Sequence, residues 1–198
     1  MESLDFFKTP FWIEDKPEFV KSLNKASDKY LKKIKKNEFG KSYPSTPLTL
    51  DNDFLDLRKY IGNKSKEFLD WQGFNLLNHK AIITGFWVQE FSHKGGGHQS
   101  VHGHPNQHVS GFYFLKCSKK TSYPVFHDPR VGARATRLPL KSKEEISYGS
   151  NTTTIIPEPG TLMIFPGYLE HEFAVDPGIQ PFRFIHWNIQ IIPRLSDD

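Results

Sequence analysis

The stretch HKGGGHQSVHGHPNQHVSGFYFL, residues 93–115, decides how this chain is read. It holds His93, His98, His102, His104 and His108 out of nine histidines in the protein. At its centre His102-Gly103-His104 separates two imidazoles by one residue. In an extended segment side chains alternate between faces, so positions i and i+2 point the same way. Two nitrogen donors therefore aim at one point. A third donor from elsewhere would complete a metal site, and His171 is the candidate.

The rest of the composition bounds the answer. At 198 residues the chain reads as one domain, 1–198, long enough to bury a core without staples. An aromatic content of 14%, with 17 Phe, argues against a disordered chain. The one cysteine, Cys117, excludes an intrachain disulfide framework and a thiolate-rich zinc module, and it suits a reducing compartment. The start, MESLDFFKTPFWIEDK, lacks an apolar h-region, so no signal peptide is expected. Apolar runs such as Ile189–Ile192 are too short to span a bilayer. A cytoplasmic protein is the expectation. The net charge of +4 raises nucleic acid as a partner, but the lysines are dispersed, and the cluster at 32–36 reads as a solvated helix face.

In chain order, Phe6, Phe7, Phe11, Trp12 and Ile13 form an extended lead-in. Asp15 as N-cap, Pro17 and Glu18 predict the start of an amphipathic helix. Phe19, Val20, Leu23, Ala26, Tyr30, Leu31 and Ile34 recur at helical spacing, and the helix is expected to end before Gly40. Residues 42–50 read as a proline-punctuated loop. A second helix starts near Asp51 or Asp53, with Gly62-Asn63 as an interruption and Gly73 as its C-terminal cap. These helices, 1–78, read as a support region. From residue 79 the pattern turns to strands: 81–91 with Gly85 as a bulge, then 109–117, 123–127, 152–156, 161–165, 172–175 and 182–192. Residues 128–150 form a long loop or lid. The fold class expected is mainly β with N-terminal helices (α+β), a sandwich or barrel over 79–198 with the helices packed against it.

One further residue constrains the chemistry. Arg183 lies in the apolar run Phe182-Arg183-Phe184-Ile185-His186-Trp187, and a cation there needs an anionic partner. The run is short of acids, so the anion is expected to be a ligand, and an arginine fork suits a carboxylate.

Three segments, HGHPNQHVSGFYFL (102–115), PGTLMIFPGYLEH (159–171) and FRFIHWN (182–188), together resemble the 2-oxoglutarate and iron(II)-dependent oxygenase superfamily. The likeness is closest to its branch with H-x-H-P-N followed by S-G-x-Y, and the helical front half resembles that branch in layout. The resemblance implies a double-stranded β-helix, a cupin-like jelly roll, with iron in its mouth. It implies His102 and His171 as metal ligands and Arg183 as the anchor of the far carboxylate of 2-oxoglutarate. Dioxygen and 2-oxoglutarate would be the co-substrates, with ascorbate in support, and 2-oxoglutarate would be decarboxylated to succinate as a C–H bond is hydroxylated. A monomer or homodimer acting on a peptidyl or small-molecule substrate is expected, with no membrane or nucleic-acid partner.

This chain departs from the superfamily at one ligand. The usual second ligand is Asp or Glu, and here it is His104. Either His104 ligates in a three-histidine set, or His102 and His171 ligate with water, or a remote acid such as Glu90 or Asp128 completes the set. The shared parity of His102 and His104 favours the first. Tyr113 is a candidate contact for the co-substrate, with an ordinary barrel tyrosine as the plainer reading. His98 and His108 read as loop or rim residues, Arg130 as a possible contact, and Trp87 and Gln89 as packing on one strand face. His186, of opposite parity to Arg183, is expected to face away from the pocket. The alternatives are a cupin-type metalloprotein, which leaves Arg183 unexplained, and a non-catalytic jelly-roll module for metal or sugar.

Overall fold

The structure, a computed structural model, describes residues 2–32, 34, 41–135 and 138–194. Its strands are β1 (Trp12–Asp15), β2 (Ser42–Pro44), β3 (His79–Phe91), β4 (Gln99–His102), β5 (Val109–Lys116), β6 (Pro124–His127), β7 (Thr152–Thr154), β8 (Thr161–Pro166), β9 (His171–Phe173) and β10 (Arg183–Pro193). They form one sheet in the order β1-β8-β5-β10-β3-β2 and a smaller one in the order β4-β9-β6-β7, and the strand pairs are antiparallel. From β3 to β6 and again from β7 to β10 successive strands alternate between the two sheets, as in a double-stranded β-helix.

Alternation along β10 shows why two sheets and a helical layer result. Ile185, Trp187 and Ile189 pack with Leu57, Ile61 and Phe68 on the helical side, whereas Phe184 packs with Phe112, Phe165 and Phe173 between the sheets. With β5 on one side and β3 on the other, the strand is buried on both faces. Trp187 lies across Gly111 of β5, where an added Cβ would come 2.1 Å from the indole ring. A side chain at 111 would displace that ring, so glycine is required by close approach.

The helical layer consists of α1 (Val20–Leu31) and α2 (Leu55–Trp71). Leu23, Ala26 and Leu31 of α1 and Leu57, Ile61, Phe68 and Leu69 of α2 are buried at the three-and-four spacing of an amphipathic helix. Asp15 does not cap α1: it pairs with Thr161 in the ladder of β1, and a 3-10 turn, Pro17–Phe19, intervenes. The expected course of this helix toward Gly40 falls in part on residues 33 and 35–40, outside the described ones. Gly62 leaves α2 unbroken, because its helical hydrogen bonding is compatible with an open surface position. Gly73 takes φ +92° just past its end, where a Cβ would be strained. The Asn188/Ile189 register shift of β10 against β3 leaves Thr84 unpaired beside Gly85, the bulge expected there. Two pieces were not expected: β2 inside the proline loop, and a short helix α3 (Val131–Ala135) inside the 128–150 segment.

The helix-facing side of β10 also holds Arg183, and here the expectation fails. Arg183 Nη2 donates to Glu90 Oε2 at 2.6 Å, Nε donates to the same oxygen at 2.8 Å, and Nη1 reaches Asp28 Oδ1 of α1 at 2.9 Å. The anionic partner is therefore supplied by the chain. Glu90 lies directly across from Arg183 in the β10–β3 register, which sequence separation concealed. Tyr113 shares this face, and its hydroxyl donates to the Lys16 carbonyl at 2.5 Å. Neither residue reaches between the sheets.

Arg183 and Glu90 are both buried, so removing one partner strands the other's charge. Arg183→Met is expected to lower the unfolding free energy by about 3–5 kcal/mol, and Arg183→Met with Glu90→Leu to recover most of it. Urea denaturation of the three proteins measures both effects.

Candidate metal centre

Strand pairing brings the first two imidazoles together. β4 runs antiparallel to β9, and His102 stands directly opposite His171 in their register. Their ring centroids are 4.5 Å apart. The chain leaves β4 through Gly103, and the His104 amide donates to the Gly167 carbonyl at 2.8 Å. That bond holds the turn after β4 against the segment that leads into β9. One ligand atom from each of His102, His104 and His171 lies within 4.8 Å of the others.

The hydrogen bonds of two of these rings set their tautomers. His102 Nδ1 is 2.7 Å from the Ser100 carbonyl, and His171 Nδ1 is 2.9 Å from the Leu169 carbonyl. A carbonyl only accepts, so both Nδ1 atoms carry the proton and both Nε2 atoms keep a lone pair. His171 Nε2 is buried and has no hydrogen-bond partner, which suits a nitrogen whose partner is a metal ion.

The surroundings keep His171 and His104 neutral. Phe112, Phe126 and Phe165 surround His171 with ring centroids 5.3, 6.0 and 5.1 Å away. Burial pushes the His171 pKa down to about 3, with the neighbouring histidines lowering it further against a raising contribution from its bond to Leu169. Burial, then the His102 charge, pushes His104 down to about 4. Neutral imidazole is the form that binds metals.

β10 contributes a fourth imidazole. His186, expected to face away, points between the sheets because it alternates with Arg183. Its Nε2 lies 3.0 Å from His104 Nε2, and its ring stacks on Trp87 at 4.3 Å with an interplanar angle of 13°. Asn188, two residues on, accepts from Ser110 Oγ at 2.5 Å and brings its Nδ2 to 3.5 Å from His104 Nδ1. Ser110, His186 and Asn188 were not singled out from the sequence as site residues. The signal was present in the two-residue alternation once Trp187 is taken as helix-facing.

The other candidates lie elsewhere. Glu90 pairs with Arg183, and Asp128 is bound by the Arg130 Nε and Nη2 at 3.0 and 2.8 Å. Among the described residues no carboxylate joins the three histidines. His98 Nδ1 contacts the Gly96 carbonyl, and His108 Nδ1 accepts from the Ile191 amide. Trp87 lines the site through His186, while Gln89 is buried farther along β3. The Cys117 thiol donates to the Pro157 carbonyl, and burial pushes its pKa up to about 12, which makes it an inert thiol.

This geometry can be set beside known proteins. Residues 85–178, from β3 through β9, match the family described as "Putative 2OG-Fe(II) oxygenase". This segment resembles the 2OG-Fe(II) oxygenase family. The fold agrees with that of the epimerase SnoN from nogalamycin biosynthesis (TM-score 0.65, 9% identity, 96% of this chain and 80% of that one). It agrees also with AviO1 from Streptomyces viridochromogenes Tue57 (0.65, 11% identity, 96% of each). A Pseudomonas putida prolyl-4-hydroxylase is similar as well (0.56, 10% identity, 92% and 93%). No curated protein matches the chain. No helix among the described residues is long and apolar enough to cross a membrane.

The oxygenase family uses iron(II) and 2-oxoglutarate. An iron ion fits the residues present, since an orphaned buried Nε2 and two further imidazoles converge. The far carboxylate of 2-oxoglutarate does not fit Arg183, which serves Glu90 and Asp28 on the opposite face of the sheet. The other buried charged side chains among the described residues are Arg58, Glu90 and Asp176. Arg58 donates to the Leu48 and Thr49 carbonyls, and Asp176 accepts from the Gly178 amide. The buried polar groups beside the histidines are the neutral Ser110 and Asn188.

The depressed histidine pKa values predict an acid-sensitive metal-free protein. The unfolded chain protonates these histidines near pH 6.5, whereas folded His104 and His171 resist until about 4 and 3. Between those limits the unfolded state binds more protons, so stability falls as pH drops. Urea unfolding of the metal-free protein from pH 7.5 to 4 is expected to show this loss, and His171→Phe to reduce its slope.

Proposed function

We propose that the chain is a 2-oxoglutarate- and iron(II)-dependent dioxygenase that hydroxylates a peptidyl or small-molecule substrate. The observation that carries this reading is the His171 Nε2 lone pair, buried without a partner inside the segment that matches the oxygenase family. His102, His104 and His171 hold the metal. The iron, when bound, supplies the site at which 2-oxoglutarate and dioxygen are brought together, so that carbon dioxide, succinate and a hydroxylated product result.

The chain's own residues orient and shield that site. The carbonyls of Ser100 and Leu169 fix the ring orientation of His102 and His171, as hydrogen bonds behind metal ligands do. Phe112, Phe126 and Phe165 exclude water from the interior side of His171. On the outer side, Arg134 Nη1 donates to Glu170 Oε2 at 2.8 Å, tying α3 to the residue before His171. A cavity of about 460 Å³ opens behind α3, lined by Asp128, Leu138, Leu140 and Tyr148 among others. The 128–150 segment is the substrate-facing side, because it combines attachment next to a ligand with exposed apolar side chains, Val131, Leu138 and Ile146. A prolyl-4-hydroxylase and an epimerase of nogalamycin biosynthesis among the similar structures are in keeping with either substrate class. The protein works as one domain, 1–198, in the cytoplasm, as a monomer or homodimer; the single cysteine supports that compartment.

Anaerobic addition of iron(II), ascorbate and 2-oxoglutarate is expected to give a weak visible charge-transfer band and a rise in melting temperature. Air should then yield succinate. His102→Ala and His171→Ala should lose the band and reduce succinate to background. Wild-type protein with neither a band nor a thermal shift would overturn the assignment.

A further inference from the structure

We propose that His186 is a positioning residue of the metal centre, which orients His104 as the third ligand. This rests on the metal reading above and adds a residue to it. His102 and His171 are each oriented by a backbone carbonyl two residues earlier in the chain. His104 lies past the end of β4, and its ring is met by β10 instead, through the 3.0 Å contact between its Nε2 and His186 Nε2.

Two imidazole nitrogens at that separation hold one proton between them, because two lone pairs or two N–H groups would repel. The contact is therefore directional: with the proton on His104 Nε2, which donates to the His186 Nε2 lone pair, His104 Nδ1 keeps the lone pair that a metal needs. His186 is built to hold it. The ring is 1% exposed, stacks on Trp87, and meets the edge of Phe112 at 5.0 Å and 75°. Its other nitrogen, Nδ1, is buried without a partner, so the bond to His104 is its single polar anchor among the described residues.

The opposite side of the His104 ring is bounded by Asn188, itself fixed by Ser110. His104 thus sits in a cradle made by the two interior-facing polar residues of β10. That cradle does for His104 what the Ser100 and Leu169 carbonyls do for the other two ligands. His186 is not itself in the set of converging donors: the ligand atoms that lie within 4.8 Å of one another come from His102, His104 and His171, and the rings of His171 and His186 are 6.3 Å apart.

Titration of the metal-free protein with Co(II), followed by its visible ligand-field bands, tests the assignment without turnover. His186→Phe keeps the aromatic stack and removes the nitrogen. It is expected to weaken Co(II) about 10–100-fold and to shift the bands, with the metal-free melting temperature close to wild type. His186→Gln, whose amide can pair with a ring nitrogen, should recover part of the affinity and the wild-type spectrum. His186→Asn, too short to reach His104, should behave as the phenylalanine variant and replaces it if that variant does not fold. Wild-type affinity and bands in both loss variants would overturn the proposal and leave His186 a core residue. A loss equal to that of His104→Ala, without rescue by glutamine, would make His186 a ligand and also overturn it. Wild-type protein that takes no Co(II) would remove the metal reading itself.

Discussion

The central strand of the larger sheet, β10, is buried on both faces, and the side-chain period of two divides its residues between incompatible environments. Arg183, Ile185, Trp187 and Ile189 stand against the helices, while Phe184, His186 and Asn188 stand between the sheets. A shift by one residue would drive Trp187 into the aromatic interior and leave His186 among leucines. Gly111 reinforces the register, since only a position without Cβ accepts the Trp187 ring. The helical layer, the barrel interior and the fourth imidazole all follow from this one strand.

The same division explains how a charged group is tolerated beside the core. Arg183 meets Glu90 across the ladder and Asp28 from α1, so the ion pair joins the helical layer to the sheet. Such a pair adds little net stability over a packed apolar pair, but breaking it is expensive. Its value here is geometric: it fixes where α1 sits on the sheet.

Between the sheets the chemistry is neutral. Three imidazoles without a carboxylate leave a divalent ion its full charge, so negative charge at the centre must come from whatever occupies the remaining positions. The phenylalanines around His171 keep water away and lower the proton affinity of that ring, which preserves its lone pair for metal. Orientation comes from different sources for the three rings. Backbone carbonyls two residues earlier meet His102 and His171, and a strand of the facing sheet meets His104.

The sequence by itself determined a good deal. The i,i+2 histidines on an extended segment, the change from helical to two-residue period near residue 79, and the ordered motifs ending in His171 were local patterns, and local patterns survive folding. They led to the sheets, the helical support and the converging imidazoles. What only the tertiary structure decided were the cross-strand relations. Glu90 and Arg183 are far apart in the chain and adjacent in the ladder, so the anion that the arginine needs was assigned to a ligand when the chain supplies it. The parity that separates His186 from Arg183 was legible, but which of the two faces inward depends on where the helices pack, and that is settled by Trp187 lying on Gly111. A period of two fixes which residues share a face; only the packing of both layers fixes which face is the interior.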